Sequence, residues 1–271
     1  MKKLLFAFGW VLLLVTSNAY SQKNMNLLGS LSYAEELSDI WGYADSLGNE
    51  YAIVGVYDGV SVVDITDPAN PIEVWFLPGA SSIWRDIKTW NQHAYVTNES
   101  NGGLFIIDLS NLPDTSSPAT ASYGGTTYTF TSVHNLYIDE NGVAYLFGAN
   151  YSSGGAIMLD LTVDPMVPVE LGIYDDYYFH DGMARGDTLW GSHISNNGVQ
   201  TIIDVSDKGN PTLLANWSTP NSFTHNCWIS DDGNTLFTTD EKSGAYIASY
   251  DVSDLSNITE LDRIQSNPGS G

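Results

Sequence analysis

The chain has 271 residues, of which 43% are hydrophobic, 12% aromatic and 15% charged, so it can bury a sizeable core and is not a disordered chain. Its 32 acidic residues against 9 basic ones give a formal net charge of −23 at pH 7. This charge argues against nucleic acid or an anionic membrane surface as a partner, because neither supplies counter-charge. Cations, including metal ions, and basic or neutral ligands remain compatible with it.

The first segment has the pattern of a secretory signal peptide. Met1-Lys2-Lys3 is a short basic start, the apolar run Leu4 to Val15 follows, and small residues at 19 and 21 precede Gln22. The apolar run is shorter than the roughly 20 residues that a membrane-spanning helix needs, and no cysteine at the cleavage point could carry a lipid. We therefore expect residues 1–21 to be removed and the mature chain 22–271, without a transmembrane segment, to be extracellular or at the cell surface.

One element recurs along the rest of the chain: an apolar strand that ends in Asp, followed by a polar turn that often contains Pro. Its copies end at Asp64, Asp108, Asp160, Asp204 and Asp251, which are 44, 52, 44 and 47 positions apart. Such a period, filled with short β-branched and aromatic runs, is typical of the four-stranded blades of a β-propeller. We expect an all-β fold with five blade-like repeats near residues 38–80, 81–129, 130–178, 179–222 and 223–271.

The repeated Asp and the single cysteine are interpreted structurally. An Asp followed by Ser or Thr can accept hydrogen bonds from nearby backbone N–H groups and fix the turn, so we do not expect these Asp residues to be catalytic. Cys227 cannot form an intrachain disulfide, because the chain has no second cysteine. Next to Trp228 and Ile229, it is expected to be a buried apolar filler rather than a nucleophile or ligand.

The repeats also carry a family resemblance. The segments Ser61-Val-Val-Asp-Ile-Thr-Asp-Pro-Ala-Asn-Pro71 and Thr201-Ile-Ile-Asp-Val-Ser-Asp-Lys-Gly-Asn-Pro211 resemble LVIVD repeats. Residues 30–271 as a whole resemble the choice-of-anchor B family of exported bacterial proteins. The resemblance implies an extracellular or surface-exposed propeller, and it brings no reaction or catalytic residues. Since residue 271 comes before any sorting signal and shortly after the fifth repeat, we expect further blades and an anchor region to be missing, which leaves ring closure open.

A polar pair stands at the start of successive inner strands. The pairs are Arg85-Asp86, His134-Asn135, His180-Asp181 and His225-Asn226, with Asp39 and Trp41 in the first repeat. Propeller symmetry brings equivalent inner-strand positions together around the central channel, so these residues are expected to form a ring at one mouth. A ring that includes His134, His180 and His225 is a candidate metal or small-molecule site.

The second strands end in further acidic groups that could belong to the same site, namely Glu99, Asp240 and Glu241. Oxygen-rich ligand sets suit Ca²⁺, whereas converging histidines suit Zn²⁺ or another transition metal, so the expected cofactor is a Ca or Zn ion if there is one. No motif with diagnostic ligand spacing is present. The simpler interpretation, which we prefer, is that each pair bonds the neighbouring blade, because successive strand residues face opposite sides.

Aromatic residues are numerous, and one stretch, residues 174–179, leads directly into His180-Asp181. We expect this stretch to lie at a mouth, while most Trp and Tyr side chains fill the space between blades. Two function classes follow. The first is an exported, non-catalytic binding module that presents a propeller mouth to a protein, glycan or small-molecule ligand. The second is a metal-dependent hydrolase or lyase that uses the axial His, Asp and Asn residues.

Overall fold

The computed structural model describes residues 25–195 and 197–265, which form twenty β-strands in five four-stranded antiparallel sheets. The first sheet contains β1 (Leu37–Ala44), β2 (Glu50–Val56), β3 (Gly59–Asp64) and β4 (Ile72–Pro78). The second contains β5 (Ile87–Trp90), β6 (His93–Val96), β7 (Leu104–Asp108) and β8 (Thr120–Tyr123). The third contains β9 (Asn135–Ile138), β10 (Val143–Phe147), β11 (Ala156–Asp160) and β12 (Val169–Tyr174). The fourth contains β13 (Asp181–Arg185), β14 (Thr188–His193), β15 (Val199–Asp204) and β16 (Thr212–Ser218). The fifth contains β17 (Thr224–Ile229), β18 (Thr235–Asp240), β19 (Tyr246–Asp251) and β20 (Thr259–Gln265).

Each sheet is a propeller blade whose strands pair in chain order. The first strand of each blade lies beside the first strand of the next, from β1 through β5, β9 and β13 to β17. These five strands are the inner strands, and β4, β8, β12, β16 and β20 are the outer ones. The all-β, four-stranded-blade expectation is therefore confirmed. No strand pairing joins the first and fifth blades within the described residues, so ring closure is not shown.

The repeated Asp ends the third strand of every blade and holds the turn that follows. Its Oδ1 accepts the backbone N–H two residues later, with N–O distances between 2.7 and 3.0 Å. The donors are Thr66, Ser110, Thr162, Ser206 and Ser253. The predicted structural role of these Asp residues is thus confirmed, and none of them lines the site described below.

The core is divided into layers between successive blades. Ile53 and Val62 of the first blade pack with Ala94 and Ile107 of the second, and similar apolar clusters fill the next three seams. Cys227 lies in the seam between the fourth and fifth blades, where burial raises the pKa of its thiol to about 11. It is the apolar filler that the sequence predicts.

The two outer faces of the blade array differ. On the first blade, Val54 and its apolar neighbours are covered by Tyr33, whose hydroxyl lies 2.8 Å from Ser61 Oγ. On the fifth blade, Trp228 and Phe237 lie on the face away from the fourth blade and are 55% and 43% exposed. Trp190, which corresponds to Phe237 in the fourth blade, is 8% exposed because the fifth blade covers it.

The predicted signal peptide, residues 1–21, lies outside the described residues, as do residues 266–271 at the end of the fifth predicted repeat. None of the described residues belongs to a helix that could cross a bilayer.

Candidate functional site

A polar pocket of about 380 Å³ lies where the starts of the inner strands converge. We call it the axial pocket. Every blade contributes to its wall, through Asp39, the segment 83–86, His134, Asn135, His180, Asp181, His225 and Glu241 among others. Four of these residues are carboxylates, so the pocket wall is predominantly acidic. The structure thus brings together the three predicted histidines and most of the acidic residues predicted with them.

Backbone hydrogen bonds fix two of the histidines at the mouth. The N–H of His134 donates to Phe147 O at 3.1 Å, and the N–H of His180 donates to Ser192 O at 2.9 Å. In both blades the histidine immediately precedes the inner strand, and the second strand anchors it. Gly148 has a positive φ of 62°, and a Cβ at this position would come within 2.8 Å of His134 Cβ. Glycine therefore permits both the turn and the close approach of His134.

His225 reaches the pocket by a different route, because it lies inside strand β17. The register between β17 and β18 shifts between Thr224 and Asn226, which makes His225 the irregular residue of a bulge. Bulges redirect side chains in this way and are common near functional sites. The imidazole rings of His134 and His180 have centroids 4.0 Å apart, and those of His180 and His225 are 4.6 Å apart. The three rings therefore form a row along one wall.

Asp181 is the carboxylate on which this row converges. Its Oδ1 lies 3.4 Å from His180 Nδ1 and 3.8 Å from His134 Nε2. Its Oδ2 lies 3.9 Å from His225 Nδ1, and His225 Nε2 lies 4.0 Å from Glu241 Oε2. Two sets of possible metal ligands share His180: His134 with Asp181, and His225 with Glu241. Within each set, one donor atom of each residue lies within 4.8 Å of the others.

Two carboxylates at positions equivalent to Asp181 act as ties between blades. Asp39 Oδ2 accepts the N–H of Ile87 at 2.8 Å, and Asp86 Oδ2 accepts the N–H of Leu136 at 2.9 Å. In each case the donor belongs to the inner strand of the next blade. The preferred interpretation of the polar pairs is therefore correct for Asp86, and it extends to Asp39. Burial raises the pKa of Asp86 to about 7, although the Lys88 ammonium and the Leu136 N–H favour the charged form.

Asp181 does not form the same tie. The N–H that corresponds to those of Ile87 and Leu136 is that of Cys227, and it donates to Asn226 Oδ1 at 2.6 Å. Asp181 is only 4% exposed, yet its Oδ1 has no hydrogen-bond partner, and neither has the buried Nδ1 of His180. Buried polar atoms are nearly always paired, whereas these two lie 3.4 Å from each other without a hydrogen bond, so both are available to a ligand placed between them.

The protonation of the histidines depends on their neighbours. Burial lowers the pKa of His134, but the hydrogen bond and charge of Glu99 together with the charge of Asp181 outweigh it and raise the pKa above its ordinary value. The contact with Glu99 is made through His134 Nδ1, which leaves Nε2 facing Asp181. Burial lowers the pKa of His225, and the neighbouring His180 adds to this effect. His225 is thus the more readily neutral imidazole of the two.

Several predicted site residues have other roles. Asp240 does not line the axial pocket and instead accepts hydrogen bonds from Asn221 N and Phe223 N, which organises the loop before β17. Asn226 is exposed beside Trp228 on the outer face of the fifth blade. Arg85 does border the pocket, but its guanidinium donates to backbone carbonyls, including Val56 O at 2.9 Å. The guanidinium of Arg85 therefore stabilises the first blade and is not free to bind a ligand.

The aromatic stretch 174–179 is not a mouth platform. None of its residues lines the axial pocket. Tyr174 and Phe179 are buried in the seam between the third and fourth blades, where the ring of Phe179 stacks on Phe147 and meets His193 edge-on. His193 is also internal, and its Nδ1 and Nε2 both lie 2.8 Å from hydrogen-bond partners, Tyr178 O and Thr201 Oγ1. Burial lowers the pKa of His193 to about 4.

One aromatic residue of the pocket, Trp84, is not among the site residues that the sequence predicts. Trp84 was grouped with aromatic residues that fill seams, yet it lies at the pocket and is 53% exposed. Its position directly before the Arg85-Asp86 pair was the available signal. Asp39, which the sequence places in the ring as the first-blade counterpart of Asp86, does line the pocket.

Comparison with known proteins supports the repeat and the fold. The LVIVD repeat model matches residues 42–76, 84–122 and 194–219, which lie in the first, second and fourth blades. No curated protein matches the chain significantly. The LVIVD repeats are thus confirmed, whereas membership of the choice-of-anchor B family stays a prediction.

Several solved structures are similar in fold. A functionally unknown protein from Desulfotomaculum acetoxidans is 16% identical with a TM-score of 0.64, and the match covers 87% of this chain and 72% of that one. The β-propeller domain of Cps50 (Swd1) from Myceliophteria thermophila is 14% identical with a TM-score of 0.57, over 84% and 73%. A quinonprotein alcohol dehydrogenase-like protein from Bacteroides thetaiotaomicron is 12% identical with a TM-score of 0.54, over 85% and 57%. At these identities the similarity establishes the fold alone. The chain therefore contains LVIVD repeats and has a β-propeller fold.

Proposed function

We propose that this protein is an exported, non-catalytic binding module whose ligand site is the axial pocket. The observation that supports this most directly is a pocket of about 380 Å³ to which every blade contributes a polar side chain. A cavity of this size holds a small molecule or the end of a glycan, since ligand pockets usually measure roughly 300–1,000 Å³. A protein partner could enter it only through a protruding side chain or loop.

The charge and shape of the pocket define the chemistry of its ligand. Asp181 and Glu241 line it without a hydrogen bond to the next blade. Asp39 and Asp86 also line it but each accepts a backbone N–H, and the guanidinium of Arg85 is used by backbone carbonyls. The wall therefore offers hydrogen-bond acceptors and negative charge, which suit amines and hydroxyl groups. The exposed ring of Trp84 adds a flat surface on which a sugar face or an ammonium group can pack. The proposed ligand is an amine or a hydroxyl-rich small molecule.

Titration calorimetry tests this proposal with a panel of saccharides and of primary and quaternary amines. We expect at least one compound to bind, and Trp84→Ala to weaken that binding by about 10-fold through loss of the aromatic contact. Phe76→Ala is the control, because Phe76 is also an exposed aromatic residue, at 41%, but lies on the outer strand β4 of the first blade. Binding by no compound, or equal weakening by both substitutions, would contradict the proposal.

Export is proposed from the first residues of the sequence, namely Lys2, Lys3 and the apolar run that follows them. N-terminal sequencing of protein recovered from the native host tests it. We expect Gln22 at the N-terminus of material outside the cytoplasm. An intact Met1 in the cytoplasmic fraction would refute this part of the proposal.

A second candidate function is a metal-dependent hydrolase or lyase. It is favoured by the convergence of His134, His180 and Asp181, because catalytic metal sites often keep three protein ligands and one open position. In such an enzyme Glu241, half exposed at the pocket, would be the general base. Ester and lactone substrates assayed with added Zn²⁺ distinguish the two functions. Turnover that disappears in Glu241→Gln would favour the enzyme.

A further inference from the structure

Three side chains at the axial pocket have the spacing of metal ligands. Asp181 Oδ1 lies 3.4 Å from His180 Nδ1 and 3.8 Å from His134 Nε2. Ligand atoms about 2.0–2.1 Å from a tetrahedral zinc ion are roughly 3.3–3.4 Å apart. Both distances from Asp181 Oδ1 are close to that spacing, and all three ligand atoms lie within 4.8 Å of one another. The three side chains come from two adjacent blades whose backbone hydrogen bonds already position them.

Two of these atoms lack the partners that a purely structural role would give them. Asp181 Oδ1 and His180 Nδ1 are buried without hydrogen bonds, although Asp39 and Asp86 at equivalent positions do accept bonds from the next blade. A buried carboxylate is costly unless it is paired or coordinates a metal. A cation between these atoms would satisfy both at once. This absence of partners is the independent observation that separates a ligand set from a chance cluster of acidic groups.

Glu99 orients His134, the third proposed ligand. Its carboxylate contacts His134 Nδ1, so the proton of a neutral imidazole lies on that nitrogen and the lone pair of Nε2 faces Asp181. Ligating histidines typically donate their other N–H to a carboxylate, which fixes the tautomer and the ring orientation. Glu99 is therefore a positioning residue for His134. In the alternative set, Asp181 Oδ2 lies 3.9 Å from His225 Nδ1, which is too far for a hydrogen bond, and both His225 and Glu241 are more exposed.

We propose that His134, His180 and Asp181 bind one divalent transition-metal ion of the zinc type, with a remaining coordination position open to the axial pocket. Two imidazoles and one carboxylate suit such an ion, whereas Ca²⁺ takes six to eight oxygen ligands. This inference rests on the proposed function, because it assigns part of the ligand site to a metal. It does not require that the organic ligand bind through the ion.

Metal titration of the full chain after chelator dialysis tests the proposal, with ZnCl₂ followed by calorimetry and CoCl₂ by visible absorption. We expect one ion per chain and the intense visible bands of low-symmetry Co²⁺. His134→Ala and Asp181→Ala should each weaken Zn²⁺ binding by about 100-fold, and Glu99→Gln by about 10-fold. His225→Ala should change it by less than about 3-fold, because His225 is outside the proposed set. His93→Ala, beside Asp108 in the second blade, is the control for a histidine remote from the set.

Circular dichroism and thermal melting verify that each variant is folded before its affinity is compared. Absence of Zn²⁺ binding, or loss of binding in His225→Ala but not in His134→Ala, would overturn the assignment. Zn²⁺ binding that is unchanged in Asp181→Ala would also overturn it. The result of this metal-binding test is independent of the result of the ligand-binding test for the proposed function. Failure of metal binding with intact Trp84-dependent ligand binding rejects only the metal, and the reverse result rejects only the organic ligand.

Discussion

Asp86 and Asp181 occupy equivalent positions at the starts of two inner strands, but their carboxylates have different surroundings. Asp86 Oδ2 accepts the N–H of Leu136 in the next blade, and its Oδ1 lies 2.7 Å from Lys88 Nζ. Asp181 Oδ1 has no hydrogen-bond partner and instead faces the imidazoles of His134 and His180. The first carboxylate joins two blades, whereas the second remains available to a ligand.

The cause of this difference is one backbone N–H group. At the seam between the fourth and fifth blades, the donor that would pair with Asp181 is Cys227 N–H, and Asn226 Oδ1 accepts it at 2.6 Å. Repetition of a polar pair therefore does not imply repetition of its role. In a propeller, a position that usually ties blades together can become a binding group when its donor finds a local acceptor. The general expectation is that replacing a fully partnered polar group costs stability, and replacing an unpartnered one does not.

The largest stability effect is expected at His193, which has partners at both ring nitrogens. His193→Gln should lower the free energy of unfolding at pH 7.5 by about 2–4 kcal/mol, because buried groups lose their hydrogen bonds and the packing against Phe179 changes. Chemical denaturation measures this loss. An effect below that of Asp86→Ala would contradict the ranking.

The same histidine gives a pH prediction. Burial lowers the pKa of His193 to about 4, whereas an unfolded histidine titrates near 6.5. Between these values the unfolded chain binds a proton that the native chain does not, so stability from this group is lost as the pH falls from about 6.5 to 4. The advantage of the wild type over His193→Gln should therefore shrink by about 3 kcal/mol in this window, at about 1.4 kcal/mol per pKa unit. A pH-independent difference would show that His193 has the same pKa in the folded and unfolded chains.

An intermediate effect is expected at Asp86. Asp86→Ala should lower the free energy of unfolding by about 1–3 kcal/mol, because the buried N–H of Leu136 loses its acceptor. Urea unfolding at pH 5 measures the change, because below its raised pKa of about 7 the folded carboxyl is mostly neutral and the cost of burying its charge does not mask the lost hydrogen bond. Asp39→Ala is the parallel variant, since Asp39 accepts the N–H of Ile87 in the same way. Stability unchanged in both would mean that these ties do not hold the blades together.

Much of the fold could be predicted because its signals are local. Asp64, Asp108, Asp160, Asp204 and Asp251 each end a third strand and bond the residue two positions later, so their spacing locates the blades directly. The inner strands were harder to delimit. Strand β5 begins at Ile87 and β9 at Asn135, later than the apolar runs suggest. The preceding residues bend toward the mouth, where strand pairing ends and side chains meet other blades.

The site was only partly predictable, because its decisive features are relations between distant residues. The convergence of His134, His180 and His225 followed from propeller symmetry. Asp86 accepts the N–H of Leu136 in the next blade, whereas the N–H of Cys227, which corresponds to it, binds Asn226 Oδ1 instead of Asp181. No sequence pattern predicts this difference. For Asp240 the prediction was wrong. Its position at the end of a second strand suggested the pocket, but its carboxylate accepts hydrogen bonds from the loop before β17.

The smallest stability effect, and the one that separates the two carboxylates most directly, is expected at Asp181. In metal-free protein, Asp181→Ala should change the free energy of unfolding by less than about 1 kcal/mol, because it removes a buried oxygen that has no partner and so offsets the packing that is lost. With Zn²⁺ at about 100 times the wild-type dissociation constant, the wild type should gain about 2.7 kcal/mol, and the variant, with about 100-fold weaker binding, only about 0.4 kcal/mol. Asp86→Ala is the matched control, since it should lose stability in the metal-free state and still gain from Zn²⁺. If Asp181→Ala instead loses as much stability as Asp86→Ala without metal, Asp181 is a tie between blades like its counterparts. The contrast between the two seams would then be wrong.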